Sequence, residues 1–323
     1  MIKLSKVCLF LLICLLITNC EKEIKPEEIN NNPETNQSEL KAGKVYPGYW
    51  YNNKYDGVHA FSFYRPVSAV GRNALVIAIH GGGFISGQKL DMIPNPKLYI
   101  NGVYVTSIDD LENTQISYVS INYSLLNDDP LNDISKPLND CQNALDYFKA
   151  NADFLRIDTN KIFLLGYSAG ASTSLWLGLK NNNNIKGIIC YDPQASLDKT
   201  KWRNEIFAPY NLGSFYDNKI PEYEDLFYKL YKTSDSIEIQ NNSNKYKWHL
   251  LDLIDNNDPK IFLVNTALPN DFLHNLAHVR TIEKIANQRG LETNVIYVRY
   301  NTFKSTTAEE ESVIEFFKRN LND

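Results

Sequence analysis

The sequence predicts an α/β fold in which helices cover both faces of a mostly parallel central sheet. Continuous apolar runs alternate with segments of helical periodicity along the 323 residues. Apolar strands of this kind are buried on both faces, which is characteristic of parallel sheets. The chain is 43% hydrophobic and 22% charged, as globular proteins are. This length is typical of one α/β domain, and we expect one.

The predicted strands and helices alternate in chain order. Strands are predicted from alternating or continuous apolar patterns over residues 58–64, 74–79, 116–123, 161–165, 187–191, 261–264 and 294–300. Helices are predicted from apolar residues at intervals of three or four over residues 138–148, 170–180, 276–289 and 307–321. Ligands of such sheets bind at the carboxyl ends of the strands. We therefore expect the functional residues in the loops that follow the strands.

Two stretches interrupt this alternation. Residues 89–113 show no regular pattern, and we expect an irregular insert there. Residues 193–257 are rich in aromatic side chains, and we interpret them as a cap-like insert over the active site that sets substrate choice. The alternative is ordinary packing of a helical insert, with most of these aromatic side chains in the core.

The N-terminus has the features of an export signal. Two lysines precede an almost wholly apolar run over residues 7–17, which is too short for an ordinary membrane span. The segment ends at Cys20 and resembles a bacterial lipoprotein signal, although Asn19 stands where Gly, Ala or Ser is usual. The resemblance implies removal of residues 1–19, lipidation of Cys20, and an exported protein anchored on the outer membrane, facing the periplasm or the surface. The alternative is an ordinary secretory signal.

The segment after the signal is polar and lacks apolar periodicity. We interpret residues 20–45 as a flexible tether, which leaves residues 46–323 for the folded domain. Two cysteines lie in this domain, Cys141 and Cys190, and both fall in apolar patterns. We predict buried thiols, with a disulfide between them as the alternative in an oxidising compartment.

Composition and motifs exclude several function classes. The formal net charge is -5, and Lys and Arg do not cluster outside the extreme N-terminus, which argues against a nucleic-acid partner. The five cysteines are too few for a disulfide scaffold and lack zinc-type spacing. The glycine-rich segment at residues 80–87 lacks the Lys and Ser/Thr of a phosphate-binding loop. We predict no metal, no cofactor and a small-molecule substrate or ligand.

A nucleophile elbow is indicated by a G-x-S-x-G pattern at Gly166-Tyr167-Ser168-Ala169-Gly170. A predicted strand precedes the pattern and a predicted helix follows it, as the elbow requires. The turn is sharp, so the residues two positions before and after the serine must be small, and both are glycine. Ser168 is therefore the candidate nucleophile, with its hydroxyl above the sheet.

A second glycine motif, His80-Gly81-Gly82-Gly83, follows the strand predicted at residues 74–79. Glycines let backbone N–H groups approach a substrate oxygen closely. The amides of Gly82, Gly83 and Ala169 are therefore candidates for an oxyanion hole. A triple glycine alone can be an ordinary loop, but its combination with the elbow is specific.

With both motifs, the chain resembles the α/β-hydrolase-fold esterases of the hormone-sensitive-lipase and carboxylesterase-like group. The likeness continues at residues 119–123, 157–162 and 258–259 and covers roughly residues 58–320, with both inserts diverging. The resemblance implies the α/β-hydrolase fold. It also implies hydrolysis of a carboxylic ester by Ser168, with a short acyl or aryl ester, for example on a carbohydrate, as substrate.

The same resemblance indicates where the acid and the base should lie. The family acid follows the strand predicted at residues 261–264, where Asp271 is found. Asp192, just after the strand predicted at residues 187–191, is the alternative acid. The family base is a histidine after the last strand, but that place holds Asn301, which cannot take a proton near neutral pH.

If the protein is an enzyme, a histidine from elsewhere has to replace the missing base. His274 and His278 flank the acid loop and are the best candidates, with a local hydrogen bond to Asp271 as the alternative role of each. The other three histidines are expected to be structural: His59, His80 and His249.

Two hypotheses about function follow from these residues. The first is a serine ester hydrolase with a relocated base, and the second is a catalytically degenerate lipoprotein that binds a ligand without turnover. An imidazole within about 3 Å of the Ser168 hydroxyl is the feature that favours the first.

Overall fold

An eight-stranded sheet forms the centre of the computed structural model, which describes residue 43 and residues 45–51, 57–180, 184–298 and 311–321. The strands within these residues are β1 (Val45–Trp50), β2 (Ala60–Tyr64), β3 (Asn73–Ile79), β4 (Lys97–Ile100), β5 (Val103–Ser107), β6 (Ser117–Ile121), β7 (Ile157–Tyr167), β8 (Ile185–Tyr191), β9 (Lys260–Asn265) and β10 (Thr293–Tyr297). The α-helices are α1 (Ile108–Thr114), α2 (Ser135–Ala150), α3 (Ala152–Leu155), α4 (Ala169–Lys180), α5 (Gly213–Lys219), α6 (Glu224–Tyr231), α7 (Ser236–Tyr246), α8 (Leu276–Gln288) and α9 (Val313–Leu321).

The central sheet is mostly parallel. Its strand order is β1-β2-β6-β3-β7-β8-β9-β10, and β4 pairs with β5 in a separate hairpin. Neighbouring strands from β6 to β10 run parallel, whereas β2 runs antiparallel to both β1 and β6. The parallel sheet predicted from the apolar runs is therefore confirmed.

Helices cover both faces of this sheet. Successive side chains of a strand point to opposite faces, and those of β3 belong to two different cores. Ile77 lies in a buried cluster with Leu145 of α2, whereas Val76 lies in another with Leu111 of α1 and Phe316 of α9. Both sets are removed from water, which is why β3 is apolar from Ala74 to Ile79.

Several element boundaries differ from the sequence-based predictions. β7 begins at Ile157, earlier than predicted, because Ile157 pairs with Asn73 before a bulge in the β3–β7 ladder. The polar residues that follow Ile157 hide this part of the strand from an analysis of hydropathy. β2 begins only at Ala60, because residues Gly57–His59 form a 3₁₀ turn.

The first insert is regular, which corrects the expectation of an irregular segment over residues 89–113. It consists of a 3₁₀ turn, the β4–β5 hairpin and α1. Asn101 and Gly102 form the hairpin turn with φ values of 51° and 83°. A two-residue turn with positive φ at both positions favours Asn-Gly. This dipeptide was the signal for the hairpin in the sequence.

The second insert is helical and aromatic. It contains α5, α6 and α7, together with a π-helical segment at Trp202–Phe207. Trp202 and Phe227 are buried and meet edge to face, with ring centroids 5.5 Å apart. Both rings also line the pocket beside Ser168. The two interpretations of this insert are therefore compatible, because the same aromatic side chains form the core and the pocket wall.

Some sequence-based predictions concern residues that the structure does not describe. The signal at residues 1–19, Cys20, most of the tether and Asn301 lie outside the described ranges. Cys141 and Cys190 are described, and both are free and buried. Among the described residues, no helix combines the length and apolar character needed to cross a membrane.

Candidate active site

Ser168 occupies the sharp turn between β7 and α4. Its φ is 54°, in the left-handed region, and its amide donates a hydrogen bond to the Tyr191 carbonyl oxygen at 2.8 Å. A Cβ atom on Gly166 would collide with the Gly170 carbonyl, and one on Gly170 would collide with the Ile79 carbonyl. The backbone is therefore packed so closely that only glycine fits on either side of the serine.

His274 lies beside the serine, in the loop between β9 and α8. Its Nε2 is 2.8 Å from Ser168 Oγ, and its Nδ1 is 3.1 Å from Asp271 Oδ2. The other carboxylate oxygen, Asp271 Oδ1, accepts a hydrogen bond from the His274 amide at 2.9 Å. With its proton on Nδ1, facing the carboxylate, the imidazole presents an unprotonated Nε2 to the hydroxyl. The structure thus brings Ser168, His274 and Asp271 together in the order of a hydrolytic triad.

The carboxylate of Asp271 stays charged beside the imidazole. Burial acts to raise the pKa of Asp271, but the hydrogen bonds from His274, together with the positive charge of that ring when it is protonated, outweigh burial and hold this pKa below its ordinary value. An ionised carboxylate next to Nδ1 fixes the ring tautomer and stabilises the imidazolium that forms when Nε2 takes a proton.

His278, the second candidate base, lies in the core and has a structural environment. Its side chain is fully buried, and its Nδ1 accepts a hydrogen bond from the Ala195 amide at 3.2 Å. The ring packs edge-on against Trp202, with centroids 4.6 Å apart. Burial, and then the charge of His274, lower the pKa of His278 to about 3. This corrects the sequence-based list, because a neutral imidazole engaged with a backbone amide is not available to Ser168.

Asp192, the alternative acid, accepts hydrogen bonds from groups other than the His274 imidazole. It is buried at the end of β8 with a φ of 52°. Its oxygens accept from the Thr266 amide at 2.6 Å, from Asn265 Nδ2 at 3.2 Å, from Asn101 Nδ2 at 3.2 Å and from the Thr266 hydroxyl. Burial is the main cause of its raised pKa. The carboxylate in hydrogen-bond contact with the His274 side chain is that of Asp271.

Two of the histidines predicted to be structural are buried in polar pairs. His59, in the turn just before β2, has its Nε2 3.3 Å from Asp140 Oδ1. His249 Nδ1 is 3.0 Å from Ser196 Oγ, and its Nε2 is 2.9 Å from Glu205. Each of these two histidines is therefore held by polar contacts between its imidazole and neighbouring side chains.

The third of these histidines, His80, shapes the glycine loop after β3. Its ring stacks on Tyr123 with centroids 4.2 Å apart, and its Nδ1 is 2.8 Å from the Gly81 carbonyl oxygen. The Tyr123 hydroxyl donates to the His80 carbonyl oxygen at 2.9 Å. Burial lowers the pKa of His80, so its ring is neutral and packs as part of the loop.

Two of the three residues predicted to form an oxyanion hole, Gly83 and Ala169, lie at the pocket beside the serine. Gly82 and Gly83 have φ values of 101° and 62°, and a Cβ atom on Gly82 would collide with the Ser86 carbonyl. Gly83 and Ala169 line the same pocket as Ser168. Ala169 is the first residue of α4, so its amide has no acceptor within the helix. These N–H groups are suited to a substrate oxygen that becomes negatively charged.

A small and mostly apolar pocket opens beside the serine. It contains about 430 Å³ of empty space, including the part open to solvent. The apolar lining comes largely from α6 and the loops around it: Phe84, Ile134, Leu197, Trp202, Leu226, Phe227, Leu230, Tyr231 and Leu273. Gln194 and Ser196 add polar groups. A pocket of this character accommodates a short apolar group next to the reacting serine.

A family model described as BD-FAE matches residues 61–268, well over half of the chain. The chain belongs to the BD-FAE family. The BD-FAE match begins in β2 and ends in the loop after β9, so it includes the glycine loop and the elbow with Ser168. Asp271 and His274 lie just beyond its end.

Known proteins are similar to this BD-FAE chain in sequence or in fold. The alpha/beta hydrolase R526 of Acanthamoeba polyphaga mimivirus is 28% identical over 159 residues, which are 49% of this chain and 41% of that protein. The match thus spans about two fifths of this curated relative. A truncated carbohydrate esterase from gut microbiota is 12% identical, with a TM-score of 0.59 over 88% of this chain and 98% of that one. Esterase B from Lactobacillus rhamnosis, in an inhibited form, is 15% identical, with a TM-score of 0.56 over 80% and 78%. These structures confirm the predicted α/β-hydrolase fold.

Sequence reasoning missed residues that support the imidazole. The Gln194 side chain donates to the Leu273 carbonyl oxygen at 3.0 Å and accepts from the Ser172 hydroxyl at 2.8 Å, so it ties the loop of His274 to α4. Tyr167 stacks on the His274 ring with centroids 6.1 Å apart. Both residues lie at carboxyl ends of parallel strands, and that position was the available signal.

Proposed function

We propose that this protein is a serine hydrolase of carboxylic esters. The observation that carries the proposal is the 2.8 Å separation of Ser168 Oγ and His274 Nε2, with Asp271 on the far side of the ring. A hydroxyl is a weak nucleophile at neutral pH, and a base within hydrogen-bond reach is what activates it. His274 fills the role for which the family position, Asn301, has no titratable nitrogen.

In the proposed reaction Ser168 Oγ attacks the ester carbonyl carbon while His274 Nε2 takes its proton. The carbonyl π electrons move to the oxygen, and the resulting oxyanion accepts hydrogen bonds from the amides of Gly82, Gly83 and Ala169. As the carbonyl re-forms, the bond to the alcohol breaks and His274 protonates the leaving oxygen. Water then attacks the acyl-enzyme with the same base, and the acid and free Ser168 are released.

The pocket supports a short acyl or aryl ester as the substrate. Its walls are apolar, and Trp202 and Phe227 are packed in the core, so they cannot easily move aside for a long chain. An ester carried on a carbohydrate fits the same chemistry, because the sugar would leave as the alcohol outside the pocket. One protein with a similar fold is named a carbohydrate esterase.

The competing hypothesis was a degenerate hydrolase that binds a ligand without turnover. It depended on the absence of an imidazole near the serine. The position of His274 supports the enzyme instead, and the degenerate protein becomes one outcome of the experiment below.

The test is covalent labelling of the full-length protein together with turnover of p-nitrophenyl esters. We expect a fluorophosphonate to modify Ser168 once per chain, as mapped by peptide mass spectrometry. We expect acetate and butyrate esters to be hydrolysed at least about tenfold faster than octanoate, because each excess methylene must be left in water or forced into a packed wall. A folded protein that is neither labelled nor active contradicts the proposal and favours ligand binding.

We also propose that Cys20 carries a lipid that anchors the protein to the outer membrane of a bacterial cell envelope. The support is the signal-like sequence before it. Cells fed an alkynyl fatty acid should label the wild-type protein and not Cys20→Ser, and the variant should leave the membrane fraction. If neither protein is labelled and both appear in the same cell fraction, the segment is an ordinary secretory signal.

A further inference from the structure

The tip of the β4–β5 hairpin meets the ends of three neighbouring strands of the central sheet. Asn101 Nδ2 donates to Thr266 Oγ1 at 2.8 Å, to Asp192 Oδ2 at 3.2 Å and to the Tyr167 hydroxyl at 3.2 Å. A side-chain amide has two protons, so these three acceptors share them. Tyr167 ends β7, Asp192 follows β8 and Thr266 follows β9. One side chain of the insert therefore joins three strand ends at the candidate active site.

These acceptors are connected to the catalytic imidazole by two routes. In the first, the Tyr167 ring stacks on the His274 ring at an interplanar angle of 17°. In the second, Asn265 Nδ2 donates both to Asp192 Oδ1 at 3.2 Å and to the His274 carbonyl oxygen at 3.0 Å. Thr266, next in the chain, donates its amide to the same Asp192 oxygen at 2.6 Å. The ring and the backbone of His274 are thus both held by groups that Asn101 contacts directly or through one partner.

We propose that Asn101 is a positioning residue that holds the imidazole of His274 in line with Ser168. It acts through Tyr167 on the ring and through Asp192 and Asn265 on the backbone. The inference rests on the proposed function, since it concerns the same reaction. It also gives the first insert a role in the reaction, although no residue of the hairpin is part of the triad.

The buried carboxylate of Asp192 explains why an amide donor is needed at the hairpin tip. Burial acts to raise the pKa of Asp192, whereas the hydrogen bonds from Thr266 and Asn101 and the charge of His274 act to lower it. A buried carboxylate that loses a donor must shift, admit water or take up a proton. Each of these changes loosens the anchor that Asn265 uses to hold the His274 backbone.

The backbone conformation of Asn101 allows its side chain to be removed without straining the turn. Its φ of 51° lies in the left-handed region, which glycine adopts without strain. Asn101→Gly therefore keeps the hairpin turn and removes the amide. Asn211, on the surface of the cap insert, has a φ of 61° and is also exposed. Asn211→Gly is the matched control, because it makes the same chemical change in the same backbone conformation away from the network.

We expect Asn101→Gly to lower kcat for p-nitrophenyl acetate about tenfold, because small displacements of a catalytic group have large effects on rate. KM should stay within about twofold of the wild-type value, because Asn101 does not line the pocket. The rate of fluorophosphonate labelling should fall in parallel with kcat. Asn211→Gly should match the wild type in both rates.

A second variant tests whether the amide donor of Asn101, rather than the shape of its side chain, is what matters. Asn101→Asp keeps the size of the side chain and its tolerance of positive φ, but it brings a second carboxylate against Asp192. Its kcat should fall further than that of Asn101→Gly. If Asn101→Asp has wild-type kcat, or if Asn101→Gly behaves as Asn211→Gly does, Asn101 does not position the imidazole.

A double-mutant cycle with Tyr167→Phe tests the first route directly. Because Asn101 and the Tyr167 hydroxyl act through one hydrogen bond, their effects on kcat should not multiply, whereas independent effects would contradict this route. A wild-type protein that is neither labelled nor active would overturn the proposed function and this inference together. An active wild type with equal rates in Asn101→Gly and Asn211→Gly would overturn the inference alone.

Discussion

Replacing Ser168 with alanine is expected to abolish fluorophosphonate labelling and to lower kcat/KM for p-nitrophenyl acetate by at least about a thousandfold. The substitution removes the nucleophile, and only the amides of Gly82, Gly83 and Ala169 remain to stabilise the oxyanion. Loss of a triad serine in other hydrolases costs up to about a millionfold in kcat. Labelling measured by mass spectrometry and initial rates measured by p-nitrophenolate absorbance give the two readouts.

The matched control for this variant is Ser174→Ala in α4, the helix that follows Ser168. Ser174 is fully buried, and within the described part of the chain its hydroxyl has no hydrogen-bond partner. The variant loses the same atom from a helix that packs behind the active site, and it should keep wild-type labelling and turnover. If Ser168→Ala retains turnover while folded, the nucleophile lies elsewhere and the proposed reaction is wrong.

Replacing His274 with alanine is expected to lower kcat/KM by about a thousandfold to ten-thousandfold while leaving the fold intact. Without Nε2, the Ser168 hydroxyl has no base at hydrogen-bond distance, and the leaving alcohol has no acid to protonate it. The side chain is 19% exposed, so its loss costs less packing than the loss of a fully buried core ring. Rates are measured with p-nitrophenyl acetate, and folding is measured by circular dichroism.

His59→Gln serves as the control for the loss of an imidazole. His59 is buried beside Asp140 and has no place in the triad, and a glutamine amide can donate to the same carboxylate. Its rate per folded molecule should equal that of the wild type. If His274→Ala keeps full activity, the base is another group, and Asp271 loses its proposed role as well.

The fold was predictable because its signals are local. The apolar runs at residues 74–79 of β3 and 188–191 of β8 are continuous, and the glycines around Ser168 are required by one turn of the backbone. Such features depend on neighbouring residues, so the sequence contains them directly. The glycine loop after β3 could be predicted for the same reason.

The sequence reduced the candidates for the catalytic base to two histidines, but it could not decide between them. His274 and His278 are separated by one helical turn, and both follow the acid closely. The structure separates them because α8 begins between them, at Leu276. His278 thereby turns inward against Trp202, whereas His274 stays in the loop that faces Ser168. This difference depends on the path of the loop, which hydropathy does not encode.

The contacts of Asn101 could not be predicted from the sequence, for a different reason. The Asn-Gly dipeptide at its turn is a local hairpin signal, although the sequence analysis expected an irregular segment there. Its partners Asp192 and Thr266 are 91 and 165 positions further along the chain. No pattern within a window of sequence connects residues at such separations, because they meet only when the strand order of the sheet is established.

The proposed acid and base, Asp271 and His274, lie three residues apart in one loop, and this has a mechanical consequence. The bond from the His274 amide to Asp271 fixes their relative geometry within a single turn of backbone. When this loop is displaced as a body, the distance from the imidazole to Ser168 lengthens while the carboxylate–imidazole pair stays assembled. In the proposed reaction, movement of this one short segment would therefore change the distance between the base and Ser168 without separating the base from its acid.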